Sequence, residues 1–217
     1  MYWQSRFIEG GVYYKDIPTI GHDGMLVLAS NSERRRDFMT LLGVEFTIHS
    51  ADVDETASEG EIPIDYVRRV ALAKAKAVES KSKPNTQILA ADTAVCLDGN
   101  ILGKPVGKAH ALEMYQQLAG RWHDVHTAVA FIGSQGQIKT FVVTSQVEIA
   151  SMDSIVWEAY WASGEPQGKA GGYAIQGLGG AFVRKVSGSY SSVVGLPLVE
   201  TVELFNRMGI PHKFSRS

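Results

Sequence analysis

Leu26-Val27-Leu28-Ala29-Ser30-Asn31-Ser32-Glu33-Arg34-Arg35-Arg36 decides the reading of this chain. An apolar strand, Leu26–Ala29, runs into a small polar turn and then into three consecutive arginines. The apolar set Phe38, Leu41 and Leu42 has helical spacing, and Gly43 stands where a C-terminal glycine belongs, so a helix is predicted over Arg34–Leu42. Asn31 and Ser32 are favourable N-cap types. Arginines in a first helical turn oppose the helix dipole. An anion bound there relieves the conflict, because free backbone N–H groups and cationic side chains meet at one point. A phosphate is the expected ligand; the bland alternative is a solvated basic turn.

Outward from this stretch the elements alternate. A strand over Glu45–His49 is followed by a helix over Ile64–Ser80 and a strand over Gln87–Leu97 that ends in the hairpin signal Asp98-Gly99-Asn100. A helix over Ala109–Leu118 stops at Gly120, and long strands over Trp122–Ile132 and Ile138–Ile149 follow. A helix over Asp153–Ala162 precedes a glycine-rich segment, Gly171 to Gly180, and a strand over Ala181–Val186. A final helix covers Leu198–Met208. Helices interspersed with isolated strands and hairpins predict an α/β fold with a mixed sheet.

The 217 residues carry a net charge of -2, which gives no general attraction to nucleic acid or to anionic membranes, so an anion site must be a local cluster. No apolar run is long enough to span a bilayer, and the first residues lack the apolar core of a signal peptide. The single cysteine, Cys96, excludes an intramolecular disulfide and fits a reducing compartment. A cytoplasmic protein is expected. Residues 1–24, rich in aromatics and glycine, read as an extension outside a core domain over 25–217; the alternative is an arm that packs on a partner.

Asp92 lies inside the apolar run Ile88–Val95 and by strand alternation shares a face with Ile88, Ala90, Ala94 and Cys96. A carboxylate there is costly unless it meets a cation or strong donors, which suggests a metal ligand or a general base; the alternative is a strand-end aspartate held by backbone amides. Lys74 repeats the pattern, projecting from the helical stripe Val67, Val70, Ala71, Ala77 and Val78. A snorkelling lysine is its equal alternative. Arg68, Arg69 and Lys76 read as solvated. Asp52-Val53-Asp54-Glu55 adds carboxylates, and Gly103-Lys104-Pro105 adds a lysine suited to phosphate. His123 and His126, three apart on a strand, face opposite ways, so a zinc site is not expected. Gln176, in a glycine-rich segment that allows close backbone approach, offers both donor and acceptor to a base edge.

Taken in order, these pieces resemble the Maf family of nucleoside triphosphate pyrophosphatases. The resemblance rests on Leu28–Arg35, Asp54-Glu55, Ala73-Lys74-Ala75, Ala91-Asp92-Thr93, Gly103-Lys104-Pro105, Glu165-Pro166, Lys169-Ala170-Gly171, Tyr173–Gly177, Gly188-Ser189-Tyr190 and Val194–Pro197. The stretch Tyr173 to Glu200 is especially similar to the dTTP/UTP branch, and its Ile175–Gly180 differs from the branch acting on 7-methyl-GTP. One departure is Glu33, where the family usually has proline. The resemblance implies an elongated Maf/Ham1-type fold with two lobes around a nucleotide cleft, and cleavage of dTTP, UTP or modified pyrimidine nucleotides to the monophosphate and pyrophosphate. It implies clearance of non-standard nucleotides and a link to arrest of cell division. It implies catalytic roles for Asp92, Glu55, Lys74 and Lys104, a magnesium or manganese ion on Asp92 and Glu55, and substrate contacts from Ser30, Ser32, Arg34, Arg35, Thr93 and Gln176. A homodimer is implied as well. Two rivals stand beside this: the same chemistry on 7-methyl-GTP or ITP, and a nucleotide-binding regulator of septum formation without turnover.

Overall fold

The structure is a computed structural model that describes residues 25–215; the reading of residues 1–24 lies outside them. Seven strands form one mixed sheet in the order β2-β1-β3-β5-β6-β7, with β4 paired to β3. They are β1 (Leu26–Leu28), β2 (Phe46–Ile48), β3 (Gln87–Leu97), β4 (Asn100–Leu102), β5 (Trp122–Ile132), β6 (Ile138–Ile149) and β7 (Val183–Ser187). The helices are α1 (Glu33–Leu41), α2 (Pro63–Glu79), α3 (Lys108–Leu118), α4 (Ser154–Ala162), α5 (Tyr190–Val194) and α6 (Leu198–Met208). The expected mixed α/β architecture is present. β1 pairs in parallel with β2 and β3, and the remaining pairs are antiparallel.

Strand alternation assigns the two faces of β3 and β5. Ile88, Ala90, Ala94 and Cys96 join Ala128, Ala130 and Ile132 beneath Val67, Ala71, Ala75 and Val78 of α2. The small alanines let the helix lie close on the sheet. On the other face, Leu89, Ala91, Val129 and Phe131 pack against Met39, Leu42, Leu204 and Phe205 at one end. Val95 and Val125 pack against Tyr115, Trp157 and Tyr160 at the other. The sheet is thus covered by α2 on one side and by two separate cores on the other.

Two pairings create an opening. β1 meets β3 only through Gln87–Leu89, and β4 meets it only through Val95–Leu97. The edge of β3 over Ala90–Ala94 therefore has no strand partner on that side among the described residues. The gap sits beyond the carboxyl end of the parallel strand β1, where open α/β sheets commonly take ligands.

Several local expectations change. Leu41 is 59% exposed, and Met39 takes its place in the core beside Leu42. Ser32 holds the N-cap position of α1, but its side chain accepts no helix amide; its own N–H bonds to Ser30 Oγ at 3.2 Å. Gly43 ends α1 at φ +69°, as the sequence required. Asp98 and Gly99 both have positive φ (51° and 80°), which makes the tight β3–β4 hairpin turn that Asp-Gly favours. Ala181 and Phe182 belong to a 3-10 turn over Leu178–Phe182 rather than to β7. α5, not anticipated, starts at Ser189, whose hydroxyl accepts the Ser192 N–H.

Candidate active site

The gap along β3 opens into a cleft of about 930 Å³. The β1–α1 turn supplies Ser30 through Arg35, β3 supplies Asp92 and Thr93, and the loop after β2 supplies Glu55. Lys74 comes from α2, Lys104 from the segment after β4, and Gln176 from the glycine-rich segment. All ten residues to which the family resemblance assigns a role line this one cleft.

Its centre is a carboxylate–lysine–carboxylate set. Asp92 is 6% exposed and faces α2, as alternation required. Lys74 Nζ lies 2.7 Å from Asp92 Oδ1 and 2.7 Å from Glu55 Oε1. The lysine does not snorkel to solvent: its side chain keeps only 11% exposure. Lys104 Nζ reaches Glu55 Oε2 at 3.1 Å from the open side. Burial pushes the Asp92 carboxyl above its ordinary value despite the opposing charges of Lys74 and Arg35. Glu55 goes the other way: burial would raise it, but Lys74 and Lys104 together hold it below the usual carboxylate range.

The acidic loop contributes one residue, not three. Asp54 turns back to accept the Thr56 N–H at 2.8 Å, and neither it nor Asp52 lines the cleft. Tyr66 Oη donates to the Glu55 carbonyl at 2.9 Å. Arg69 is exposed, as expected, yet it holds Glu61 in a bidentate pair at 2.6 and 2.7 Å and donates to the Thr56 carbonyl at 3.0 Å. Two side chains of α2 thereby fix the loop that carries Glu55. Nothing in the sequence marked either one, because partners on a loop have no fixed spacing from a helix.

The three arginines of α1 divide. Arg35 is buried and donates to the Gly195 carbonyl at 2.8 Å, Ser30 Oγ at 3.2 Å and Thr93 Oγ1 at 3.1 Å. Thr93 faces away from Asp92, and its hydroxyl also meets Thr127 Oγ1 at 2.9 Å, so it supports the arginine. Arg36 lies 3.8 Å from Glu33 on the surface, so the acid in place of proline pairs with the arginine outside the cleft. Arg34 lines the cleft, and its Nε is buried with no hydrogen-bond partner among the described residues. A lysine cannot make the three contacts of Arg35. Arg35→Lys is expected to cost about 1–3 kcal/mol of stability, because buried acceptors lose their donors; denaturant unfolding against wild type measures it.

The donor chemistry also fits a divalent cation. Asp92 and Glu55 converge on one position that already attracts positive charge, and magnesium is commonly held by one or two carboxylates together with substrate phosphates. No cluster of three or more His, Cys, Asp or Glu side chains that could hold a metal exists among the described residues, so phosphate oxygens and water would complete such a site. His123 bonds to Tyr173 Oη at 2.8 Å and His126 to Thr144 Oγ1 at 2.9 Å, each on its own face of β5.

Fold and cleft together define an α/β protein that gathers arginines, lysines and carboxylates at the carboxyl end of a parallel strand. The model of the Maf-like protein family matches residues 25–208. A dTTP/UTP pyrophosphatase of Hahella chejuensis is 48% identical over 187 residues, covering 85% of this chain and 92% of that protein. A dTTP/UTP pyrophosphatase of Pseudoalteromonas atlantica is 46% identical over 192 residues, covering 87% of this chain and 100% of that protein. The Ham1 protein of Staphylococcus aureus is similar at a TM-score of 0.42 and 20% identity over 58% of this chain and 72% of that one, too distant to carry weight. The chain belongs to the Maf-like protein family.

Proposed function

We propose that the protein hydrolyses dTTP and UTP, and modified pyrimidine nucleotides, to the monophosphate and pyrophosphate. The observation that carries the proposal is the Asp92–Lys74–Glu55 set, which lines the same cleft as Arg34, whose buried Nε has no hydrogen-bond partner among the described residues. The identity to relatives named dTTP/UTP pyrophosphatase supports the choice of substrate.

In this reading the turn Ser30–Ser32, the first amides of α1 and Arg34 take the phosphates, with Arg35 holding the turn in shape. Lys104, on the open side, meets the outer phosphates and stabilises charge on departing pyrophosphate. Asp92, held in a site that disfavours its charge, accepts the proton of the attacking water. Lys74 keeps Asp92 and Glu55 side by side and ionised. A magnesium or manganese ion held by Asp92 and Glu55 would neutralise phosphate charge and acidify bound water. Gln176 offers its amide to the base. A homodimer and a role in clearing non-standard nucleotides rest on the family resemblance. No helix of the described residues is long and apolar enough to cross a membrane.

The test is pyrophosphate release from dTTP, UTP, CTP, 7-methyl-GTP and ITP with Mg²⁺ or Mn²⁺. Release from dTTP and UTP is the expected result. Release from a purine alone overturns the substrate, and nucleotide binding without release overturns the reaction.

A further inference from the structure

Glu165 stands in the short motif Glu165-Pro166, away from the Asp92–Lys74–Glu55 set. It follows α4 and lies at the rim of the cleft. Its carboxylate reaches across to the glycine-rich segment. Oε2 accepts the Leu178 N–H at 2.7 Å, and Oε1 accepts both the Gly179 N–H at 2.8 Å and the Tyr160 hydroxyl at 2.7 Å. Tyr160 Oη in turn accepts the Ala174 N–H at 3.1 Å. The carboxylate thus caps the 3-10 turn over Leu178–Phe182 from outside that turn, satisfying amides a helix start leaves open.

The chain closes around this contact. A Cβ at Gly177 would collide with the Glu165 carboxylate, and one at Gly179 would lie 2.5 Å from Tyr160 Oη and 2.8 Å from the Ala174 carbonyl. The segment from Ala174 to Gly179 is therefore fastened at both ends to the Tyr160–Glu165 pair, and Gln176, which lines the cleft, sits at the middle of it. Burial opposes ionisation of Glu165, but the Gly179 amide, the Tyr160 hydroxyl and the Leu178 amide outweigh it and hold the carboxyl below its usual range. The contact is a charged one at neutral pH, with the strength that ionised acceptors give.

We propose that Glu165 is a positioning residue for base recognition: its carboxylate clasps the backbone of residues 174–179 in the shape that presents Gln176 to the nucleotide base. This rests on the proposed nucleotide hydrolysis. The clasp touches neither Asp92, Lys74 nor Glu55, so it acts on how the base is held and not on how the phosphoanhydride is cut.

The experiment measures kcat and KM for dTTP, UTP and ITP on wild type and Glu165→Gln, together with hydrogen exchange of the Leu178 and Gly179 amides. Gln keeps one acceptor oxygen and loses the other along with the charge. KM for dTTP and UTP is expected to rise about tenfold, the worth of one charge-assisted hydrogen bond, with kcat within about twofold. The UTP-to-ITP ratio of kcat/KM should fall in step, and the two amides should exchange faster. Gly177→Ala, which keeps the glutamate but displaces its carboxylate, should reproduce the pattern even where Glu165→Gln folds poorly. Unchanged KM and base ratio in either folded variant overturn the assignment. An equal loss of kcat on every nucleotide also overturns it, since that marks a general structural role. Wild type that turns over no nucleotide overturns the proposed function itself, and this inference with it.

Discussion

Asp92→Asn is expected to reduce pyrophosphate release by about 10³-fold, within the range seen when a positioned acid–base group is removed. The fold should survive. Burial raises the Asp92 pKa above its unfolded value, so ionising this carboxyl opposes folding. That opposition is absent below the ordinary carboxylate pKa, where the group is protonated in both states, and is complete above the raised folded-state pKa. Asn removes it while Lys74 keeps Glu55 as a partner. At pH 7–8 the variant should therefore melt no lower than wild type. Near-normal turnover in the folded variant would remove Asp92 from the mechanism.

Lys74→Met is expected to have the second largest effect. It leaves Asp92 and Glu55 facing each other without the ammonium that each contacts at 2.7 Å. Turnover should fall by about 10²-fold or more, comparable to removing one preorganised charge from a reacting centre. The pH profile carries the sharper signature. Lys74 now opposes the effect of burial on Asp92, and its loss removes that opposition while the like charge of Glu55 remains. The Asp92 pKa should rise further, moving the acid limb of kcat/KM upward by at least about one pH unit. Stability at neutral pH should drop by about 2 kcal/mol, less than for a fully buried pair because Glu55 is partly exposed. The deficit should shrink as acid protonates both carboxylates. An acid limb that stays in place would show that Lys74 does not tune Asp92.

Much of this framework was legible in the sequence because it depends on local period. Alternation along Ile88–Cys96 placed Asp92 on one face of β3, and the stripe Val67–Val78 placed Lys74 toward the core. The glycine after α1 and the Asp-Gly turn after β3 followed from backbone sterics alone. The turn from β1 into α1, where arginines crowd a helix start, marked the cleft. Leu41 misled because helical spacing admits more than one apolar face, and only packing decides which is covered: Met39 and Leu42 go inward and Leu41 stays outside.

What the sequence by itself determined, then, is the alternation of strands and helices, the inward side of β3 and α2, and the membership of Asp92, Lys74, Glu55 and Arg34 in one chemical set. Only the tertiary structure decided their partners. Lys74 bridges two carboxylates from different elements, Arg35 is committed to Gly195, Ser30 and Thr93 while Arg34 Nε is left without a partner among the described residues, Arg69 grips the Glu55 loop, and Glu165 clasps the glycine-rich segment. The physical reason is reach. Period 2 and period 3.6 fix direction within an element, whereas a hydrogen bond under 3 Å between elements depends on pairing register, on loop path and on a cleft that exists because β1 and β4 each cover only part of β3.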